Sequence, residues 1–324
     1  MTSVTQTLLD RASAYIGNDV TWVLPEAEAG LRNIATLNAL HPFRPAFLAL
    51  QNMKVAVSPE WPAHTGSTVA LNLPRQAEWA LGLLATALEK MPVDGTLLMI
   101  APNDLGGKRY EKLLDENFDV IFAESKNHCR IAVIKRPAVL PDIVQKWKDG
   151  ARAQLVAGAD LLSLPGTFSH GRVDNGSALL LQNLPALTGH IADFGGGWGY
   201  LSQEAAKTAA RVDLYEADYN ALLMAKRNLG DSNIQFFWHD ILTEKIAGKY
   251  DAVIMNPPFH DLSDANPEIG RGFIGCAAAH LKTGGQLWMV ANTHLPYEEI
   301  LKSQFKTVTP VTREKGFKVL AAVK

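Results

Sequence analysis

Cysteine is scarce in this chain, and long apolar runs are absent. Only two cysteines, Cys129 and Cys276, occur among the 324 residues, far apart and without the spacing of metal ligands. This excludes a disulfide framework and a zinc site, and it is typical of a reducing cytoplasm. No run approaches the roughly 18 apolar residues of a transmembrane helix. The first residues also lack the basic and apolar segments of a secretory signal, so we expect a cytoplasmic protein that binds neither membrane nor metal.

A surplus of basic residues is absent as well. Lys and Arg number 31 against 33 Asp and Glu, which gives a net charge of −2. Proteins that hold nucleic acid by their overall charge are usually more basic, although a neutral total still permits a local basic patch. A hydrophobic content of 47% is ordinary for a globular protein with a large core. The length favours two domains.

The two halves of the chain repeat the same order of landmarks. In each half an apolar segment ends in Asn and a proline-containing turn, and then come a helix, a glycine turn, a second apolar segment, a Tyr-Glu pair and a final strand. The matched positions include Asn72 and Asn256, Tyr110 and Tyr297, and Phe118 and Phe305. Shared order at a nearly constant offset predicts a duplication. Helical periodicity ends at Gly150, so we place one domain at residues 1–150 and another at 151–324.

The second half alternates strands and helices, which predicts an α/β domain with a parallel sheet covered on both faces. We expect strands at His190–Phe194, Val212–Glu216, Ile234–Trp238, Ala252–Met255 and Gln286–Ala291, and helices at Ser202–Thr208 and Ala221–Leu229. The last two strands, Val308–Val311 and Lys318–Val323, are expected to form an antiparallel hairpin.

A glycine-rich loop follows the first of these strands. It reads Asp193-Phe-Gly195-Gly-Gly197-Trp-Gly199, and its glycines allow a ligand to approach the main chain closely. The dinucleotide fingerprint needs a further glycine where Tyr200 stands. The spacing therefore favours a cofactor with an amino-acid tail. The loop resembles that of methyltransferases, in which an acidic residue at the position of Asp193 lies near the methionine part of S-adenosylmethionine. The alternative is a tight turn that binds nothing.

Two more carboxylates follow at the distances that this cofactor requires. Glu216 lies at the end of the second strand, where a carboxylate can accept hydrogen bonds from both ribose hydroxyls, and Asp218 is the neighbour most easily confused with it. Asp240 follows the third strand. It is suited either to accept from the adenine amino group or to cap the next turn.

The fourth strand runs directly into Asn256-Pro257-Pro258-Phe259-His260. Two prolines cannot continue a central strand and instead stiffen a loop at the carboxyl end of the sheet. The Asn256 side-chain oxygen and the Pro257 carbonyl are placed to accept hydrogen bonds from a planar amine and to aim its lone pair at a methyl donor. Phe259 offers a ring on which a base can stack. We expect Pro258 and His260 to contact the substrate.

Taken together, these motifs resemble those of the bacterial small-subunit ribosomal RNA methyltransferase C family, which methylates guanine N2. The resemblance spans the chain and includes Leu164–Gly171, Asp174–Ser177, Asp193–Gly199, Asn256–Asp261, Leu295–Tyr297 and Phe317–Val319. It implies two tandem class I, Rossmann-like methyltransferase domains, the second with a seven-stranded sheet that ends in the hairpin. The second would bind S-adenosylmethionine. The first would lack the cofactor loop and support folding and RNA recognition.

The resemblance implies methylation of 16S ribosomal RNA, either free or in an assembled small subunit, by a monomer. The chain departs from the family pattern at Asn175, Leu262 and much of the first half. Three alternatives remain: a large-subunit guanine-N2 methyltransferase, a protein glutamine N5-methyltransferase, and a silent RNA-binding assembly factor. The duplicated half and Phe259 favour RNA over a protein substrate.

Overall fold

The structure is a computed structural model that describes residues 2–230, 233–258, 260–261, 264–265 and 267–324. The chain divides into two compact units, Met1–Ala153 and Gln154–Lys324. The division falls three residues beyond Gly150, the last residue of helix Asp142–Gly150. Within the described residues, no helix combines the length and the apolar character needed to cross a membrane.

The N-terminal unit is a seven-stranded sheet with helices. Its elements in chain order are α1 Val4–Ala12, β1 Asp19–Val23, β2 Thr36–Leu40, α2 Arg44–Asn52, β3 Ala56–Ser58, β4 Thr68–Asn72, α3 Ala77–Lys90, β5 Thr96–Pro102, α4 Gly107–Asn117, β6 Val120–Lys126, β7 Cys129–Lys135 and α5 Asp142–Gly150. The strand order is β3-β2-β1-β4-β5-β7-β6. The first five strands run parallel, and β7 is antiparallel to both β5 and β6.

The C-terminal unit follows the same path. Its elements are β8 Gln154–Leu155, β9 Leu162–Ser163, α6 Asn175–Asn183, β10 His190–Phe194, α7 Tyr200–Ala205, β11 Arg211–Glu216, α8 Tyr219–Leu229, β12 Ile234–Trp238, β13 Tyr250–Met255, β14 His260–Asp261, β15 Asp264–Ala265, α9 Pro267–His280, β16 Leu281–Asn292, α10 Glu298–Gln304, β17 Thr307–Glu314 and β18 Phe317–Val323. The large sheet has the order β12-β11-β10-β13-β16-β18-β17, and β8-β9 and β14-β15 form two small ribbons.

In each seven-stranded sheet the first strand along the chain, β1 or β10, is therefore third from one edge, and the last strand, β7 or β18, is second from the other. The predicted pair of class I sheets is confirmed, as is the closing antiparallel hairpin, which is β17 with β18. Two strands, β10 and β12, have the predicted bounds. The helix predicted at Ser202–Thr208 instead begins at Tyr200 and ends at Ala205, because Gly199 with φ +99° starts the helix directly after the loop.

The core of the C-terminal unit lies on both faces of its sheet. In β10 every residue after His190 is buried, and β13 is buried at all positions except Asp251. Alternate side chains of β13 join different apolar clusters: Val253 and Met255 pack with α9, whereas Ala252 and Ile254 pack with residues of α6 and α8. A parallel strand between two helical layers needs apolar residues on both faces. This double burial holds the ends of β10 and β13 firmly beside each other.

Candidate functional site

The predicted site residues lie at the carboxyl ends of neighbouring parallel strands. The glycine loop follows β10, Glu216 ends β11, and Asn256 follows β13, which pairs with β10. A small cavity lies between the loop and Asn256, and its lining comprises Phe168, Ser169, Asp174, Ser177, Gly195, Gly196, Gly197, Trp198, Tyr200, Leu201 and Asn256. The cofactor loop and the predicted amine acceptor therefore face one space, although 61 residues separate Gly195 from Asn256.

The glycine loop needs its glycines for two separate reasons. Gly195, Gly197 and Gly199 have φ values of +75°, +56° and +99°, a region that other residues rarely adopt. At Gly199 a side-chain Cβ would lie 2.6 Å from Leu229 Cδ1, so packing also excludes it. At Gly197 nothing lies within 4 Å of the Cβ position among the described atoms. Gly197 thus leaves open space where a ligand can approach the main chain.

Asp193 is a fully buried carboxylate with half of its hydrogen-bonding capacity unused. It is 0% exposed, and its Oδ2 accepts a 2.7 Å hydrogen bond from the Ser202 hydroxyl. Its Oδ1 is buried and has no hydrogen-bond partner within the part of the chain that the structure describes. Burial raises the pKa of Asp193 to about 7, against the lowering effect of the Ser202 hydrogen bond. A buried acceptor without a donor is costly and suits a ligand that brings one.

Glu216 connects the glycine loop to the start of α8. Its Oε2 accepts from the Gly197 backbone N–H at 2.8 Å, and its Oε1 accepts from the Asp218 N–H at 2.7 Å. Burial raises the pKa of Glu216. Burial also raises the pKa of Asp218 to about 7, and the charge of Glu216 adds to the effect. Asp218 itself is the N-cap of α8 and accepts from Asn220 N at 2.9 Å. Three carboxyl groups near one loop favour a cationic ligand.

Asp240 has the capping geometry that was one of its two predicted roles. It is 6% exposed, and its Oδ1 accepts from the Leu242 N–H at 3.0 Å. Its Oδ2 accepts from the Thr243 hydroxyl at 2.6 Å. Contact with an adenine amino group would have to use the remaining lone pairs of these oxygens, and that role stays a prediction.

The side chain of Asn256 is held by its nitrogen and leaves its oxygen unused. Its Nδ2 donates to Asp174 Oδ2 at 3.0 Å and to Ser177 Oγ at 2.8 Å. Its Oδ1 is buried and finds no partner among the described residues. Pro257 is buried and Pro258 is exposed. Phe259 lies outside the described residues, and His260 is described only as part of β14, so their predicted contacts stay predictions.

Asp174 and Ser177 lie in the site, but sequence reasoning gave them no role. Asp174 is the N-cap of α6, where its Oδ2 accepts from the Ser177 N–H at 2.8 Å. An Asp shortly before an apolar helical segment such as Leu179–Leu181 signals a helix start. Such a signal predicts the cap, but it does not show that the cap lies beside a loop 82 residues later in the chain.

The N-terminal unit has the same strand order as the C-terminal unit, with different residues at the equivalent positions. Its Trp22 pairs with Ala70, two residues before Asn72, as Asp193 pairs with Ile254, two residues before Asn256. The fully buried ring of Trp22 therefore occupies the strand position of the Asp193 carboxylate. By the same register His41 takes the place of Glu216. Burial lowers the pKa of His41 to about 4, so this position is neutral at pH 7.

Another cavity in the C-terminal unit, of about 310 Å³, lies at the opposite ends of the strands, near the starts of β13 and β16. Its charged lining residues Asp251 and Lys282 pair with each other at 2.7 Å. Since open α/β folds bind ligands at the carboxyl ends of their strands, the smaller cavity is the candidate site. No cluster of three or more metal-ligating side chains occurs in the described part of the chain.

Comparison with known proteins places this arrangement in a family. Residues 158–321 match the model of the methyltransferase small domain. The ribosomal RNA small subunit methyltransferase C of Shewanella halifaxensis is 31% identical over 264 residues, which cover 79% of this chain and 77% of that protein. This chain belongs to the ribosomal RNA small subunit methyltransferase C family. The protein of that name from Alcanivorax borkumensis is 29% identical and aligns over 100% of this chain and 99% of its own length.

The family likeness extends to a solved structure. The 16S rRNA N2 methyltransferase of T. thermophilus, solved in complex with AdoMet and guanosine, superimposes with a TM-score of 0.78 at 25% identity. The match covers 94% of this chain and 88% of the T. thermophilus chain. Both units of this family member thus share the fold of that enzyme. The chain is an S-adenosylmethionine-dependent methyltransferase of the N-methylating type.

Proposed function

We propose that this protein transfers a methyl group from S-adenosylmethionine to the exocyclic N2 amine of a guanine in 16S ribosomal RNA. The observation that carries the proposal is the buried Oδ1 of Asn256, which has no partner among the described residues and belongs to a side chain that lines the same cavity as the glycine loop. Family membership supports the choice of ribosomal RNA. The T. thermophilus relative was solved with AdoMet and guanosine, which supports guanine as the base.

The residues of the glycine loop fit the cofactor. Among the described residues, the space at Gly197 is open and Asp193 Oδ1 has no partner, which is what an amino-acid tail with N–H donors requires. Glu216 holds the Gly197 N–H with one lone pair and keeps others for ribose hydroxyls. Gly195 and Gly199 allow the sharp turn of the loop. Asp240 accepts a hydrogen bond from the adenine amino group of the cofactor. When bound, the cofactor supplies an activated methyl group on a positively charged sulfonium.

The acceptor atoms of Asn256 and Pro257 orient the amine. An exocyclic amine is a weak nucleophile because its lone pair is delocalised into the ring. Hydrogen bonds from its two N–H groups to Asn256 Oδ1 and to the Pro257 carbonyl hold the nitrogen and favour tetrahedral geometry. They also stabilise the positive charge that develops on nitrogen. The rate enhancement therefore comes from orientation of the amine and from electrostatic stabilisation of the transition state. Phe259 stacks on the base, and Pro258 and His260 contact the substrate.

The N-terminal unit serves RNA recognition and folding in this proposal. Trp22 and His41 occupy its equivalents of Asp193 and Glu216, which favours one cofactor site per chain. The target base leaves its stack to reach Asn256, which costs a few kcal/mol. We propose that a monomer acts on the small-subunit RNA, either free or in the assembled subunit.

The test is methylation with labelled cofactor. Purified protein is incubated with unmodified 16S RNA, with assembled small subunits and with large-subunit RNA, and each product is digested to nucleosides. Labelled N2-methylguanosine from 16S RNA or small subunits is the expected result. Label only in large-subunit RNA, in another nucleoside or in protein would overturn the proposal. Failure to bind S-adenosylmethionine by calorimetry would identify a silent assembly factor instead.

A further inference from the structure

We propose that Asp174 and Ser177 are positioning residues that set the polarity of the Asn256 amide, so that the site accepts an N–H donor. This inference rests on the proposed function, because the amine of that function is the donor. The observation is that both contacts of the Asn256 side chain within the described residues are made by its nitrogen, to Asp174 Oδ2 and Ser177 Oγ. The oxygen is left for the substrate.

A carboxylate and a primary amide allow only one orientation here. The side chain of Asn256 has an oxygen that accepts and a nitrogen that donates. If the amide turned over, its Oδ1 would lie about where Nδ2 now lies, 3.0 Å from the Asp174 carboxylate. Two acceptors at that distance repel each other, and the NH₂ group, now at the position of Oδ1, would face an amine that also donates. Asp174 therefore favours the orientation that presents an acceptor.

The carboxylate of Asp174 is itself held in place. The same Oδ2 atom accepts from the Ser177 backbone N–H at 2.8 Å, which caps α6. Gly176 packs closely against it: an added Cβ would lie 3.0 Å from Asp174 Oδ2 and 3.0 Å from the Phe317 ring. The start of α6 and the side-chain amide of Asn256 thus belong to one hydrogen-bond network.

The N-terminal unit contains a related arrangement, in which a hydroxyl and not a carboxylate holds the nitrogen of the corresponding asparagine. There α1 lies before β1 as α6 lies before β10, and Ser3 caps it by accepting from Gln6 N at 3.0 Å. Asn72 Nδ2 donates to the Thr5 hydroxyl at 2.7 Å, while Asn72 Oδ1 accepts from the Trp22 indole N–H at 3.0 Å. In both copies the nitrogen bonds to the helix start. In the N-terminal copy the oxygen accepts from an N–H, which is the role that the amine takes at Asn256.

Ser177→Ala separates positioning from helix capping, because the cap uses the Ser177 backbone. It should lower kcat about tenfold, as expected for one lost hydrogen bond, while the KM for RNA and the affinity for S-adenosylmethionine change less than about twofold. Asp174→Ala should lower kcat further and also destabilise the unit. Asp174→Asn should restore most of kcat, since an amide oxygen can still accept from both N–H groups. Thr208→Ala is the control, because it removes a hydroxyl that bonds to Leu187 O and lines neither cavity.

A spectroscopic measurement keeps this test apart from that of the proposed function. In protein labelled with ¹⁵N on asparagine, the Asn256 side-chain NH₂ signal, assigned from its loss in Asn256→Asp, should shift and exchange faster with water in Ser177→Ala. It should stay unchanged in Thr208→Ala. These shifts support the positioning even if the wild-type protein methylates a different substrate. An unchanged NH₂ signal in Ser177→Ala, or a kcat equal to that of wild type, would overturn the proposal.

Discussion

The indole N–H of Trp22 donates a 3.0 Å hydrogen bond to the side-chain oxygen of Asn72. Asn72 is the N-terminal counterpart of Asn256, whose own oxygen has no partner in the described portion of the chain. The two units thus differ: the side-chain oxygen of Asn72 accepts a hydrogen bond within its own unit, whereas that of Asn256 has no partner among the described residues. The ring of Trp22 is fully buried in the core of the N-terminal unit.

Replacement of Trp22 should therefore affect stability more than chemistry. Trp22→Ala leaves a large cavity in the N-terminal core and should lower the free energy of unfolding by about 3–5 kcal/mol. Trp22→Phe keeps much of the volume but leaves Asn72 Oδ1 without its donor, at a cost of about 1–3 kcal/mol. Denaturant unfolding measures both. Calorimetry should still find one S-adenosylmethionine per chain, and a second site in Trp22→Ala would contradict the assignment of the N-terminal unit.

Cofactor binding should weaken as the pH falls below 7. Without ligand, burial raises the pKa of Asp193 and of Asp218 to about 7, so both carboxyl groups are increasingly protonated under acidic conditions. A cationic ligand favours the ionised groups and must displace these protons. Each proton released lowers the affinity by up to about tenfold per pH unit below the pKa. Calorimetry at pH 6, 7 and 8 in buffers of different ionisation heat measures affinity and proton release together.

The stability of the ligand-free protein should depend on pH in the opposite direction to its affinity for the cofactor. A carboxyl group whose pKa is raised by folding stabilises the folded state at low pH, and that contribution is lost as the pH rises through about 7. For Asp193 and Asp218 the ligand-free unit should therefore lose stability between pH 5 and pH 8. Asp193→Asn should make both pH dependences shallower. Equal affinity at pH 6 and pH 8, with no proton release, would show that these carboxyl groups do not face the cofactor.

Two glycines of the loop should respond differently to alanine. Gly197→Ala meets open space and costs only the strain of a left-handed φ, about 1–2 kcal/mol, but its methyl group should obstruct the cofactor. Gly199→Ala adds a clash with Leu229 and should destabilise the unit more. Thermal unfolding and calorimetry together distinguish the two effects. Gly316→Ala is the control, because it combines φ +84° with open space among the described atoms in the turn between β17 and β18. Unaltered cofactor affinity in Gly197→Ala would show that Gly197 does not lie against the cofactor.

Much of the fold follows from the sequence because the signals are local. Apolar runs gave β10 and β12 their bounds, and the order of landmarks predicted the two sheets that the structure has. The helix after the glycine loop differs from its predicted bounds, because it begins directly after Gly199, the last glycine of the loop, and ends at Ala205. Strands that are buried on both faces have similar apolar sequences, so the order of the strands in each sheet is not predicted from periodicity and is known from the structure.

The site was predictable only in part. Asp193, Glu216 and Asn256 lie at strand ends, which a sequence can locate. Asp174 and Ser177 belong to a helix that precedes the first strand, and no local pattern shows that this helix begins beside Asn256. Likewise, the equivalence of Trp22 and Asp193 depends on strand register, which only the structure supplies.

The role of Asn256 is the central claim, and Asn256→Ala tests it most directly. Removal of the acceptor oxygen should lower the rate of methyl transfer to 16S RNA by about 10²–10³, the usual loss for one oriented group that stabilises developing charge. Affinity for S-adenosylmethionine should stay within a few-fold, because Asp193, Glu216 and the glycine loop are unchanged. Single-turnover methylation and calorimetry on the same preparations measure both quantities. A wild-type rate of transfer in Asn256→Ala would contradict the account.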